Sequence, residues 1–262
     1  MTVRHIISSL AAEVKQYKLP AILTPVFVIL EVLMEVLIPF VIAHLIDNGV
    51  EVGNYQVITE AGTILIILAL LALLFGILAG RTSAVASAGF ARNLRRAVFS
   101  NVQKFSFANI DKYSAPSLIT RLTTDVTNIQ NSFMMIIRVA IRSPVMFLAS
   151  FIMVLIIKPE MALIFACVVP ILGVGITILT VKTFPIFERV FQKYDSLNSV
   201  VRENIRGIRV VKSFVREGFE KKKFKKASAD IYEDFTAAEK LMAMLSPLMQ
   251  FCTYLCILAV AW

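Results

Sequence analysis

Charge is scarce in this sequence: only 17% of its 262 residues are Asp, Glu, Lys or Arg, against about 25% in ordinary soluble domains. With 58% hydrophobic residues and a mean hydropathy of +0.77, a water-soluble globular fold is excluded and a membrane protein is implied. Cysteine is scarce as well. Cys167, Cys252 and Cys256 all sit in apolar runs, and no His or third Cys stands near Cys252 and Cys256 to complete a metal site, so they read as small buried apolar residues. No GxxxxGK(S/T) phosphate loop occurs, so the chain itself is expected neither to bind nor to hydrolyse ATP. The N-terminus has no small-residue cleavage site after an uninterrupted apolar core, which argues against a cleaved signal peptide.

What the sequence does contain is apolar windows of helix length. Residues 1–18 alternate Arg4, His5, Glu13 and Lys15 with Val3, Ile6, Ile7, Leu10 and Val14, the pattern of an amphipathic helix lying on the membrane surface. Five spans are expected at about 19–45, 61–80, 134–157, 161–181 and 241–262, each able to cross a hydrocarbon core of about 30 Å. Between them lie two long polar loops, 81–133 and 182–240, of near-equal length. The net charge of +9 would suit nucleic acid, but it collects between apolar spans, so no nucleic acid partner is expected. Of 27 Lys and Arg residues, 3 lie in 1–18, 9 in 81–142 and 14 in 182–240, and only Lys158 lies elsewhere. By the positive-inside rule both loops and the N-terminus are cytosolic, in a multi-pass protein of the plasma membrane.

The fold class expected is an all-α membrane protein whose long transmembrane helices extend into the cytosol as stalks. Helical periodicity from Ala61 runs on to Phe105, about 67 Å at 1.5 Å per residue, so more than half of that helix must protrude. From Phe105 to Val126, Asn109, Asp111, Ser114 and Pro116 offer turn and capping chemistry for a short transverse segment. In the second loop, Arg202–Glu217 carries apolar residues at Val201, Ile205, Ile208, Val211 and Val215, with Arg202, Arg206, Arg209 and Arg216 about 100° away. These read as two stripes of one helix, weakened at Gly207. Turns are expected at Asp47-Asn48-Gly49 and Val52-Gly53-Asn54, and a bend at Pro39.

Two charge pairs stand inside apolar windows. Glu31 and Glu35 lie one turn apart near mid-depth of the first span, where a carboxylate must face a bundle interior or an aqueous cavity. They either line a cation-attracting substrate path or pack against polar partners on neighbouring helices. Arg138 and Arg142, one turn apart at the cytosolic end of the third span, either snorkel to the interface or contact substrate.

Three stretches carry a family resemblance: LIPFVIAHLIDNG at Leu37–Gly49, SLITRLTTDVTNIQ at Ser117–Gln130 and NSVVRENIRGIRVVKSFVREGFEKKKF at Asn198–Phe224. In that order and spacing the chain resembles the transmembrane domain of a type IV ABC exporter, the ABC transporter type-1 fold, and most of all one half of a bacterial heterodimeric multidrug exporter. The resemblance implies two cytosolic coupling helices that seat on nucleotide-binding domains. They fall at Ser106, Asn109, Ile110, Asp111 and Tyr113, and at Ile205, Arg206, Gly207, Arg209, Lys212 and Phe214. It also implies a second transporter half, ATP and Mg bound by nucleotide-binding domains outside this sequence, and an amphipathic or lipophilic cargo moved by alternating access. The family pattern continues into a sixth span and a nucleotide-binding domain, so the sequence is expected to be a fragment of a longer polypeptide. A secondary transporter or channel using Glu31 and Glu35 is the alternative, though it would have no need of two matched stalks.

Overall fold

In hydrocarbon every backbone N–H and C=O must find its partner within the spanning segment, which leaves the helix as the form for each apolar window. The computed structural model describes residues 3–106, 113 and 115–262, and among them every regular element is helical. Five helical stretches are long and apolar enough to cross a membrane: Lys15–Val50, Tyr55–Val102, Pro116–Ile157, Pro159–Arg206 and Glu217–Ala261. They fall into two compact units, one up to Ile156 and one from Ile157.

The first unit begins with α1 (Val3–Ala12). A tight turn follows, with Lys15 at φ 41°, and a single 3₁₀ turn at Lys15–Tyr17 leads into α2 (Lys18–Leu45). Pro39 does not end or replace this helix, which continues past it to Leu45. The expected turn at Asp47-Asn48-Gly49 is instead a π-helical turn, Ile46–Val50, and the reversal falls later, at Gly53 with φ 70°, where glycine alone carries no Cβ penalty. Asn54 then caps α3 (Tyr55–Val102), its side chain accepting from the amides of Gln56 and Val57. The connection between these helices is therefore only residues 51–54 rather than the Asp47–Glu60 loop expected. α3 ends three residues short of Phe105. Further along the chain come α4 (Ala115–Thr120), a π-helical turn at Arg121–Asp125, and α5 (Val126–Ile157).

Contacts fix the register of α2 on α3. Tyr17 lies on Gly89, the Thr24 hydroxyl donates to Thr82 Oγ1 at 2.9 Å, and Glu31 meets Gly76. As numbers rise along α2 they fall along α3, so the two helices are antiparallel. Gly89 is then level with the start of α2. Below that level Val14, Phe90, Ala91, Leu94 and Val126 form a core shared by the N-terminal segment, α3 and α5, and the Asn93 amide donates to the Glu13 carbonyl at 2.8 Å.

In the second unit, Lys158 is extended and Pro159 opens α6 (Pro159–Arg206) at its first turn, where a missing N–H costs nothing. Gly207 ends it, and α7 (Ile208–Ser213), α8 (Glu217–Ala243) and α9 (Leu245–Ala261) follow. Lys193 binds Asp234 at 2.7 Å and the Asp230 carbonyl at 3.0 Å, Lys223 binds Glu203 at 2.9 Å, and Phe187 meets Phe235 edge-on. These pairs make α6 and α8 an antiparallel stalk. α9 packs on α6 where Gly175 meets Leu248.

A Cβ at Gly89 would fall 2.4 Å from the Tyr17 ring. Gly89→Val is therefore expected to destabilise the N-terminal segment by about 1–3 kcal/mol, the usual cost of overpacking. Thermal unfolding in detergent measures it, and adding Tyr17→Ala should recover most of the loss.

Candidate functional site

Two places bring predicted residues together. The first lies inside the membrane. α2 presents Glu31 and Glu35 one turn apart, and α5 reaches them with Arg142. Its Nη1 donates to Glu31 Oε1 at 2.7 Å, and its Nη2 donates to both Glu35 oxygens at 2.7 Å. Glu31 is the more enclosed of the two carboxylates, its side chain 12% exposed against 32% for Glu35. Gly76 on α3 makes room for it, since a Cβ there would lie 3.1 Å from Glu31 Oε1. Of the two readings of this acidic pair, packing against a polar partner on a neighbouring helix is the one the geometry contains.

Arg142, expected to snorkel to the interface or to contact substrate, has its guanidinium level with the middle of α2, turned onto the two carboxylates. A cation at that depth is stabilised by two carboxylates more than by a stretched path to water. Arg138 lies one turn earlier with its guanidinium beside Gly80, on the side of the triad toward the start of α5. Two carboxylates share one guanidinium, and the buried Glu31 Oε2 has no hydrogen-bond partner among the described residues. The group thus keeps one acceptor oxygen without a donor among the described residues. Sequence reasoning missed Gly76, whose only signal was a glycine interrupting a run of Leu and Ile.

The second place is the tip of the α6–α8 stalk. Ile205 and Arg206 close α6, Gly207 breaks it, Arg209 and Lys212 stand on α7, and Phe214 follows. The single striped helix expected over Arg202–Glu217 is thus three pieces. Gly207 removes the Cβ that favours continued helix, and a second break follows α7. There the Val215 amide donates to the Lys212 carbonyl at 3.2 Å and the Arg216 amide to the Val211 carbonyl at 3.0 Å, a Schellman closure. Val215 occupies its left-handed position at φ 53°, where glycine is usual and a β-branched residue is strained. Ile205, Ile208, Val211 and Phe224 line a cleft of about 450 Å³ between the three pieces.

Ion pairs brace this tip. Asn204 donates to Glu220 at 3.0 Å, and Lys212 lies 3.2 Å from Glu217. The Lys223 ammonium holds the Glu203 carboxyl below its ordinary pKa, and Glu203 in turn raises Lys223. Glu217 is lowered first by its own amide at the start of α8 and then by Lys212. None of these partners was legible in the sequence, since each joins residues whose spacing depends on where the helices break.

Of the other predicted tip, Ser106 follows the end of α3. Tyr113 stacks on Phe105 with ring centroids 6.0 Å apart and lies under the Arg121 guanidinium at 5.1 Å. Asn109, Ile110 and Asp111 lie outside the described residues. Among the described residues no group of three metal-ligating side chains converges.

Arg142→Met leaves two carboxylates facing each other without a counterion, and is expected to cost up to about 3 kcal/mol, the low end for breaking a buried pair. Denaturation in detergent reads the loss, and Glu31→Gln with Glu35→Gln added to Arg142→Met should recover most of it.

Comparison with known proteins bears on the family of the chain. The family model described as ABC transporter transmembrane region matches residues 21–262. An uncharacterized ABC transporter ATP-binding protein of Bacillus subtilis, YfiB, is 29% identical over 248 residues, covering 95% of this chain and 43% of the relative. A relative of the same description in Mycobacterium tuberculosis is 28% identical over 242 residues, with 92% and 42% covered. The putative ABC transporter ATP-binding protein exp8 of Streptococcus pneumoniae is 25% identical over 215 residues, with 81% and 36% covered. The chain spans less than half the length of these relatives. With five helices able to span a membrane and a family match over nearly its whole length, this multi-pass chain belongs to the ABC transporter transmembrane region family.

Proposed function

We propose that this chain is the membrane half of an ATP-driven exporter, and that the α6–α7–α8 tip is its mechanical input. The observation that carries the reading is length. α6 has 48 residues, about 72 Å, of which a bilayer core accounts for about 30 Å, leaving about 40 Å of stalk. A rigid stalk of that reach delivers motion from a partner below the membrane to the spans, and the broken, ion-braced tip at Ile205–Phe214 is the part offered to such a partner. α3 also has 48 residues, and the transverse region after it, at Ser106–Tyr113, is the second proposed contact.

The partners are nucleotide-binding domains, which hold ATP and Mg and drive the tips, and a second transporter half. The names of the relatives, each an ABC transporter ATP-binding protein, support the first of these. Closure of the nucleotide-binding domains moves the tips, the stalks carry the motion upward, and the spans expose their inner surface to one side of the membrane and then the other. The proposed cargo is amphipathic or lipophilic. The proposed location is the plasma membrane, with the N-terminus and both stalks in the cytosol, and the distribution of Lys and Arg supports that orientation.

In the complete transporter, Arg209→Glu with Lys212→Glu is expected to lower transport at least tenfold, about 1.4 kcal/mol in coupling, while ATP hydrolysis and cargo binding persist. Because Lys212 pairs with Glu217, Glu217→Gln is the control for loss of that internal contact alone. Vesicle transport assayed beside ATPase separates the outcomes: normal transport refutes the coupling role, and loss of cargo binding moves the segment to the cavity.

The orientation has its own test. In a background without Cys167, Cys252 and Cys256, Val52→Cys should react with an impermeant maleimide from outside intact cells. Labelling only from the cytosolic side inverts the topology.

A further inference from the structure

An apolar crevice of about 380 Å³ opens where the N-terminal segment meets α3 and α5. Leu10, Val14, Phe90, Ile129, Phe133 and Ile136 form most of its wall, and the polar share is negligible. It lies at a definite depth. Tyr17 rests on Gly89, so Phe90 is level with the residue at which α2 starts, where acyl chains give way to headgroups. The wall also has a direction. Along α5 the lining residues run from Ile129 to Ile136, away from the polar transverse region and toward the triad at Arg142.

At the polar end of that run stands a cation. Arg95 Nη2 donates to Thr127 Oγ1 at 3.3 Å, half a turn before Ile129. Among the described residues no carboxylate lies within ion-pair distance of Arg95. Arg92 and Arg96 beside it are exposed as well. The order is therefore guanidinium at headgroup depth, then an apolar slot leading into the bilayer.

We propose that the crevice holds one acyl chain of an anionic phospholipid of the cytosolic leaflet, with its phosphate on Arg95. At about 30 Å³ for a water-sized group, the volume takes roughly a dozen methylene-sized units, a single chain rather than a compact ligand. Moving an acyl chain from bilayer to crevice exchanges one apolar surrounding for another, so the slot supplies shape and the headgroup supplies selectivity. Arg95 provides it through charge and hydrogen bonding together, and each cation near an anionic surface contributes about 1 kcal/mol. The bound lipid ties α1 to α5 beside the Asn93–Glu13 contact, filling a gap that side chains leave open. The choice of leaflet rests on the orientation proposed above, whereas lipid retention in detergent does not depend on it, so the two readings fail separately.

The test is native mass spectrometry of the complete transporter in detergent, titrated with phosphatidylglycerol or phosphatidylcholine of equal chain length. The wild type is expected to retain one phosphatidylglycerol per copy of this chain with about tenfold preference, and Arg95→Glu to bring that preference to about parity. Ser132→Trp places an indole in the crevice, and among the described residues the Ser132 hydroxyl donates only to the Asn128 carbonyl of its own helix. It should cut retention of both lipids, while the surface control Lys226→Glu changes neither. Monodispersity on gel filtration establishes that each variant is folded. Equal retention of the two lipids by wild type and Arg95→Glu overturns the phosphate contact. Retention unchanged in Ser132→Trp overturns the acyl site, and displacement by glycerol phosphate alone shows an anion site without a lipid chain.

Discussion

A helix of about 72 Å in a hydrocarbon slab of about 30 Å must protrude, and most of this protein's architecture follows from that surplus. α3 and α6, each 48 residues, are apolar for the first part of their length and basic for the rest. The basic part is costly to bury in lipid, so in each helix it is the part that protrudes. A protruding single helix has nothing to bury against, and each stalk is accordingly held by a neighbour. α3 is held by the N-terminal segment and α5 through the cluster at Val14, Phe90 and Val126. α6 is held by α8 through Lys193–Asp234, Glu203–Lys223 and Asn204–Glu220. The two solutions differ in kind: the first is apolar packing near the membrane surface, and the second is ion pairs farther from it, where water lowers the cost of charge.

Inside the slab the balance changes. Apolar side chains gain nothing by leaving lipid for each other, so close approach and polar contacts decide which helices associate. Thr24 with Thr82, Glu31 with Arg142, and the glycines at 76 and 89 are the points at which α2, α3 and α5 are fixed in register. The ion triad is the least forgiving of these toward loss of its cation, because removing Arg142 leaves two carboxylates without a counterion. A substrate path beside it would share its electrostatics, with one carboxylate oxygen still unsatisfied.

At the far end of the α6–α8 stalk the chain is shaped by two breaks only eight residues apart. Gly207 ends one helix for want of a Cβ, and Val215 takes a conformation that glycine would take without strain. Between them α7 is too short to be stable alone, so its position depends on the helices that flank it. That dependence suits a segment proposed to receive force, since a displacement of α7 has no means of dissipating except through α6 and α8.

Composition and the length of its apolar windows determined that this is a membrane protein, that it is helical and that five stretches are long and apolar enough to cross, because hydrocarbon admits so few backbone forms. The positions of Lys and Arg likewise marked the segments expected to extend beyond the bilayer, an unpaired charge being costly in lipid. The break at Gly207 was legible for a local reason, the missing Cβ. The break at Val215 was not, since nothing about valine announces a left-handed backbone. Tertiary structure alone decided that Arg142 is the partner of Glu31 and Glu35: it is more than a hundred residues from both in the chain, and whether an arginine snorkels or turns inward depends on what a neighbouring helix presents at its level. The same holds for Gly76 and Gly89, whose use is to admit Glu31 and Tyr17 from another helix. Local preference and solvent are written residue by residue, whereas a contact is a property of two places at once.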